Sequence, residues 1–278
     1  MRLAELFRTS AAHDFLDALF PPLCPLCRAI EPGDGLGCDE HRFRVGLTGP
    51  RCGRCARALP PALPDGERCN ECRRAAPSFR TLDAVCEYRA GDGVAAWLLA
   101  LKYGGRRDLA EPLGTLLAQR IHARLQFGAR TPQPSAGEPS RSAGEPSRSA
   151  GGPSPIAERD PLVVAVPLHP LRRLERGYDQ ARLVACAVAR ALDLRERRVL
   201  ARSRFTAVQG ALGSPSRSAN VSGAFRVRRL ASRHVVGRRI GLVDDVATSG
   251  STLDECARVL LRAGAAAVHA AVVARAGG

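Results

Sequence analysis

Two groups of residues in this 278-residue chain have the types and spacing to do chemistry. The first is IGLVDDVATSGSTLDECARVL (240–260). An apolar run delivers two adjacent carboxylates, Asp244 and Asp245, and a small-residue turn of Ala247, Thr248, Ser249, Gly250 and Ser251 leads to a helix start near Thr252. Turn amides and the positive end of the helix dipole form an anion pocket, and the hydroxyls of Thr248, Ser249, Ser251 and Thr252 add donors. One phosphate fits there. Ionised carboxylates only accept hydrogen bonds, so the acidic pair suits the vicinal hydroxyls of a ribose and repels a second phosphate. Phosphate beside diol describes a sugar 5-phosphate. Alone, Asp-Asp reads as a solvated strand end and the hydroxyl run as a helix cap; the order strand, acids, turn, helix is what gives the segment its meaning.

The second group is sulfur. Seven of ten cysteines fall between Cys24 and Cys72, as CPLC (24–27), CDEH (38–41), CGRC (52–55) and CNEC (69–72). Each CxxC knuckle lets two thiolates grip one metal, and two knuckles complete a tetrahedral zinc site. Four knuckles make two sites. His41 in place of a fourth sulfur fits Cys3His ligation and makes no sense for a disulfide. Sequential pairing gives Cys24/Cys27/Cys38/His41 and Cys52/Cys55/Cys69/Cys72; a cross-braced arrangement uses the same ligands, and spacing does not decide between them. Cys86, Cys186 and Cys256 lie in apolar settings, where inert buried thiols are expected.

Positioning these groups requires particular elements. LVVAVPL (162–168), a strand within HVVGRRIGLVDD (234–245) and AVHAAVVAR (267–275) are near-continuous apolar runs; ARLVACAVARAL (181–192) and STLDECARVLLRAG (251–264) have helical periodicity. Such alternation predicts a parallel sheet covered on both faces, with ligands at the carboxyl ends of its strands. Upstream, the pattern predicts a strand near 83–89, a helix near 93–101, a Lys-Tyr-Gly-Gly break and a helix near 107–124. Residues 11–20 predict a helix ended by Pro21 and Pro22. SAGEPSR occurs at 135–141 and again at 142–148, so 128–160 reads as a low-complexity linker unable to bury a core.

Composition narrows the function classes. Aromatics are 12 residues, which disfavours a protein built on aromatic stacking of bases. No apolar run approaches the ~20 residues of a bilayer span, and acids interrupt the N-terminal stretch where a signal peptide is apolar, so the chain is expected in the cytoplasm without membrane insertion. Of the net +15, residues 161–278 hold 20 basic against 8 acidic side chains. That field attracts polyanions, nucleic acid or phosphate-rich small molecules, although arginine-rich codon usage produces the same surplus. Seven thiolates on two zinc ions cancel the small excess of the first half, making the ribbon a poor DNA clamp. Lys102 is the one lysine among 42 basic residues, a hint of a specific task.

Together the CPLC and paired knuckles, LKYGGR (101–106), VPLHPLRRLERGYDQAR (166–182), RSRFTAVQGALG (202–213), NVSGAFRV (220–227) and the acidic segment resemble the ComF family. Within that family the acidic segment resembles the phosphoribosyl-pyrophosphate (PRPP) signature of type I phosphoribosyltransferases. Departures are His41 and Asp179, where cysteine and asparagine are usual, and Ala-Thr-Ser-Gly-Ser, where Thr-Thr-Gly-Ala is commoner.

The resemblance implies an α/β type I phosphoribosyltransferase fold, a central mostly parallel sheet flanked by helices. It implies an N-terminal helix (1–22), a double zinc-ribbon module (23–76) and a phosphoribosyltransferase-like domain (80–278) interrupted by the 128–160 linker. Asp244 and Asp245 then bind the ribose diol and stand as the catalytic pair, and Ala247, Thr248, Ser249, Gly250, Ser251 and Thr252 bind the 5-phosphate. VPLHP (166–170) becomes the pyrophosphate loop and ERGYDQ (175–180) a closing flap. His169, Arg172, Arg173 and Arg176, with Lys102 and Arg106 from the facing segment, are candidate pyrophosphate donors, with Mg²⁺ on the pyrophosphate. The implied role is a cytosolic factor for DNA uptake and natural transformation that binds PRPP, handles single-stranded DNA and meets DNA-uptake proteins. The alternative is a genuine phosphoribosyltransferase of nucleotide salvage or biosynthesis with a base or amine acceptor.

Overall fold

A computed structural model of the chain describes residues 23–30, 36–128, 159–202 and 221–276. The expected N-terminal helix and most of the repeat linker lie outside these residues. After a short helix α1 (Asn70–Arg74) come β1 (Leu82–Tyr88), α2 (Gly93–Tyr103), α3 (Ala110–Gly128), β2 (Arg159–Ala165), α4 (Pro170–Arg176), α5 (Gln180–Ala191), β3 (Arg195–Glu196), β4 (Leu200–Arg202), β5 (Phe225–Val227), β6 (Arg238–Ala247), α6 (Ser251–Arg262) and β7 (Ala267–Ala276).

Strands β1, β7, β6, β2 and β3 form one sheet in that spatial order, and every neighbour is parallel. Alternate residues of the central strands feed two cores, as the period of a strand requires. Leu242, Val268 and Ala270 pack with Leu253, Cys256 and Leu260 of α6 on one face. Val243, Ala271 and Val273 pack with Trp97, Leu113, Leu117, Val184 and Val188 of α2, α3 and α5 on the other. Burial on both faces is why the centres of β6 and β7 read as near-continuous apolar runs. β2 ends three residues earlier than the 162–168 run suggests, at Ala165, because Pro167 has no N–H for the ladder and Pro170 opens α4. A separate antiparallel pair, β4 with β5, stands outside the sheet.

The cysteine-rich module is attached along the β1 edge. Gly46 bridges Cys86 in parallel and its amide donates to Val85 O at 2.8 Å. Arg51, only 8% exposed, donates to Thr48 O and pairs with Glu87 at the end of β1. Trp97, fully buried in α2, stacks at a tilt on Phe43 with centroids 5.4 Å apart and donates its indole N–H to His41 O at 2.9 Å. The backbones meet closely here: a Cβ on Gly93 would lie 2.2 Å from Arg42 O, so only glycine admits the approach. Among the described residues no helix is long and apolar enough to cross a membrane.

Candidate functional site

The acidic pair stands at the carboxyl end of β6, where ligands of parallel sheets bind. Asp245 is 5% exposed; its Oδ1 accepts the Val246 amide at 2.7 Å, and its Oδ2 lies 3.2 Å from Lys102 Nζ. Asp244, partly buried, accepts the Asp245 amide at 2.9 Å and lines a cleft of about 300 Å³. Burial, and after it the Asp245 charge, pushes the Asp244 carboxyl well above the ordinary aspartate range; the Asp245 amide and Lys102 pull the other way. Two carboxylates and one lysine therefore share a poorly hydrated spot, with room for hydroxyl or cationic ligands.

The turn after β6 exposes Thr248 and Ser249, and Gly250, at φ 82°, is the N-cap of α6. That left-handed backbone favours glycine, and the first amide of α6, from Ser251, donates to Ser249 Oγ at 3.4 Å. The hydroxyls of Ser249 and Ser251 meet at 2.9 Å, and Thr252 lines the cleft. Residues 247–252 thus form a hydroxyl-rich mouth beside the acids.

Lys102, Arg172 and Arg176 also line this cleft. Arg176 lies over the Tyr103 ring, 4.6 Å from its centroid, and donates to the Tyr103 hydroxyl at 3.0 Å, so α4 is held to the end of α2. Three expected donors stand elsewhere. Arg106 forks onto Asp108 and donates to Pro25 O, because a carboxylate two residues away matches its planar guanidinium. His169 is the N-cap of α4, its Nδ1 accepting the Leu171 amide at 3.3 Å. Neither lines the cleft, and Arg173 faces a neighbouring pocket instead.

The eight metal-ligand candidates form two groups, Cys24/Cys27/Cys38/His41 and Cys52/Cys55/Cys69/Cys72, each with its ligand atoms within 4.8 Å of one another. The grouping is sequential. Cys27 and Cys38 sulfurs are 3.6 Å apart and Cys55 and Cys69 sulfurs 3.7 Å. A tetrahedral site with Zn–S near 2.3 Å has edges of about 3.8 Å, so the donor sets fit zinc. Burial raises the Cys24 and Cys52 thiols, but backbone amides, Cys27 and Cys38 for the first and Cys69 and Cys55 for the second, outweigh it and bring them down to about 6 and about 7. Burial and the bond to Cys55 push Cys72 upward. Four thiols so close cannot all ionise without a cation to absorb the charge.

Residues 15–73 match the double zinc ribbon domain family, and residues 179–278 match the phosphoribosyl transferase domain family. DNA utilization protein YhgH of Salmonella typhi is 32% identical over 250 residues, covering 89% of this chain and 87% of that protein. The chain belongs to the ComF family. YhgH of Escherichia coli K12 is 29% identical over 249 residues, with the same coverage. Competence protein F of Haemophilus influenzae is 34% identical over 115 residues, 41% of this chain and 50% of that one. The glutamine PRPP amidotransferase of B. subtilis superposes with a TM-score of 0.34 at 18% identity, over 63% of this chain and 30% of its own, so the chain spans under a third of that structure. This ComF-family chain has the α/β phosphoribosyltransferase fold behind a zinc-ribbon-like cysteine module.

Several residues of the ComF-family cleft carry no sequence signal of their own. Gln180, inside the ERGYDQ segment, is 5% exposed and lines the cleft, and its Oε1 has no hydrogen-bond partner among the described residues. A neutral amide leaves no trace in a charge pattern. Arg202, from β4, lines both the cleft and a second pocket of about 390 Å³ beyond Pro167 and Leu168, where Arg173, Arg182, Arg198 and Arg228 gather.

Proposed function

We propose that the cleft binds PRPP, with Asp244 and Asp245 on the ribose hydroxyls, residues 247–252 on the 5-phosphate, and Lys102, Arg172 and Arg176 near the pyrophosphate. The observation that supports this best is the Asp244–Asp245 pair, the second member buried beside Lys102, at the foot of a hydroxyl-rich helix start. Gln180, whose buried Oε1 has no hydrogen-bond partner among the described residues, supplies a further polar contact in the same wall. The dense negative charge of a pyrophosphate fits Mg²⁺, which would screen it and help it leave; the chain's own part is to hold and orient the sugar phosphate. Zinc in the two cysteine clusters is structural in this scheme.

Calorimetric titration of PRPP with Mg²⁺ into the zinc-loaded protein is expected to give saturable binding with one site per chain. The Asp244→Asn/Asp245→Asn double variant, folded and carrying its zinc, should show none. Undiminished binding by that variant would remove the carboxylates from the site and the proposal with them.

The cellular role is read as cytoplasmic handling of single-stranded DNA during DNA uptake or use, together with DNA-uptake proteins. Its supports are the 20 basic against 8 acidic side chains of residues 161–278 and the names of the relatives, DNA utilization and competence. Phosphate contacts by arginines give binding that ignores sequence and falls steeply as salt rises from about 50 to about 200 mM. An oligo-dT titration across that range should show this slope. Full affinity at high salt, or none at low salt, would count against a DNA role.

One observation favours a second reading, transfer of the phosphoribosyl group to an acceptor. The arginine-lined pocket adjoins the cleft and shares Pro167, Leu168 and Arg202 with it, so an anionic acceptor has a place to stand. Pyrophosphate release that depends on one acceptor would establish it.

A further inference from the structure

Arg275 ends the interior of β7 with 1% of its surface exposed, and among the described residues no carboxylate is one of its hydrogen-bond partners. Strand register sets it opposite Ala247 on β6 and Glu87 on β1. Its Nε donates to the carbonyl of Cys55 at 3.1 Å. One terminal nitrogen donates to Ala247 O at 3.0 Å, to Ala276 O at 3.2 Å and to Thr248 O. A single buried guanidinium therefore holds a knuckle of the second metal cluster on one side and the first two residues of the 247–252 turn on the other.

Burying a guanidinium is costly unless its charge is met. Here carbonyl dipoles meet it, those of Cys55, Ala247, Thr248 and Ala276. A zinc ion held by four thiolates keeps net negative charge, so the loaded cluster is the natural counter-charge for Arg275. The first cluster touches a different wall: His41 O accepts from Trp97 and Pro25 O from Arg106, both on the segment that carries Lys102. A lysine at 275 has one donor centre and cannot fork to both sides.

We propose that Arg275 is a positioning residue that fixes the phosphate-binding turn to the second metal cluster, so that occupancy of the Cys52/Cys55/Cys69/Cys72 site sets the turn's order and its affinity for a sugar phosphate. This rests on the assignment of 247–252 to a phosphate. Turn amides held in place bind an anion without first losing conformational freedom, which is where the affinity arises.

The test uses the full chain and two readouts, amide hydrogen exchange over 247–252 and titration with ribose 5-phosphate. Arg275→Met should keep two zinc per chain, speed exchange in the turn, and weaken ribose 5-phosphate by roughly tenfold. Arg275→Lys should fall between it and the parent protein. Stripping zinc should speed the same amides in the parent and add little in Arg275→Met, since two changes on one path are not additive. Equal exchange in the turn for Arg275→Met and the parent overturns the proposal. If Arg275→Met does not fold, zinc-loaded and zinc-stripped parent protein decide. Faster exchange at 247–252 with β2 and β6 still protected supports the proposal, and unchanged exchange overturns it. A parent protein that ignores ribose 5-phosphate, yet whose turn responds to zinc and to Arg275, refutes the phosphate assignment and leaves the mechanical link standing.

Discussion

Cys72→Ser is expected to leave one zinc per chain and to lower the thermal midpoint by about 10 °C or more, the scale of losing a structural metal from a module of this size. The buried cluster around the second site consists of Cys52, Leu59, Cys69 and Cys72, with Cys55 and Leu63 partly buried against it. Four of those six residues are the metal ligands themselves. Little apolar surface remains to hold residues 50–73 once the metal goes, and small modules of this kind depend on their staple. The loss should spread further than the ribbon. Arg51 with Glu87 and Arg275 with Cys55 O join this module to the sheet, and Arg54 with Pro77 O ties it to the connection before β1. Metal analysis beside a thermal melt checks the outcome; a one-zinc variant melting with the parent would show that the apolar contacts suffice.

The sheet was legible because its central strands are buried on both faces and so announce themselves as apolar runs, β6 and β7 above all. The acid pair, turn and helix were legible for another reason: the unit is contiguous, and each part is built from its own neighbours. What the sequence withholds is contact between distant segments. Lys102 stands out as the one lysine, but that it meets Asp245 depends on α2 crossing to the end of β6. Arg275 reads as one arginine among 42 basic residues, and its carbonyl partners Cys55 and Thr248 leave no side-chain signature. Arg106 is the converse case, a basic residue on a turn that pairs with Asp108 and does not line the cleft. The β4–β5 pair escapes because its strands are three residues each and 22 residues apart in sequence, too short for any period to show.

Asp244→Asn should separate stability from binding. The folded protein holds the Asp244 carboxyl well above its ordinary value through burial and the Asp245 charge. For an acid shifted upward, the folded state keeps its proton where the unfolded chain has lost it. Stability from this group is therefore full below the unfolded value, near 3.9, and declines as pH rises through the folded value. Asparagine removes that penalty, and its Oδ1 can still accept the Asp245 amide. The variant should match the parent near pH 4 and exceed it increasingly toward neutral pH. A gain of about 1 kcal/mol, or roughly 2–4 °C at this chain length, is the scale expected. Affinity for PRPP should move the other way, by on the order of 10- to 100-fold, because hydrogen bonds to a charged acceptor are the stronger ones. Melting curves from pH 4 to 8 beside a PRPP titration at pH 7.5 read both effects. A variant less stable than the parent at neutral pH would mean that Lys102 neutralises the pair, with no charge repulsion left to relieve. A more stable variant that bound PRPP as well as the parent would take Asp244 out of the site; stability gained together with affinity lost is the pattern of a carboxylate kept for its ligand at a cost to the fold.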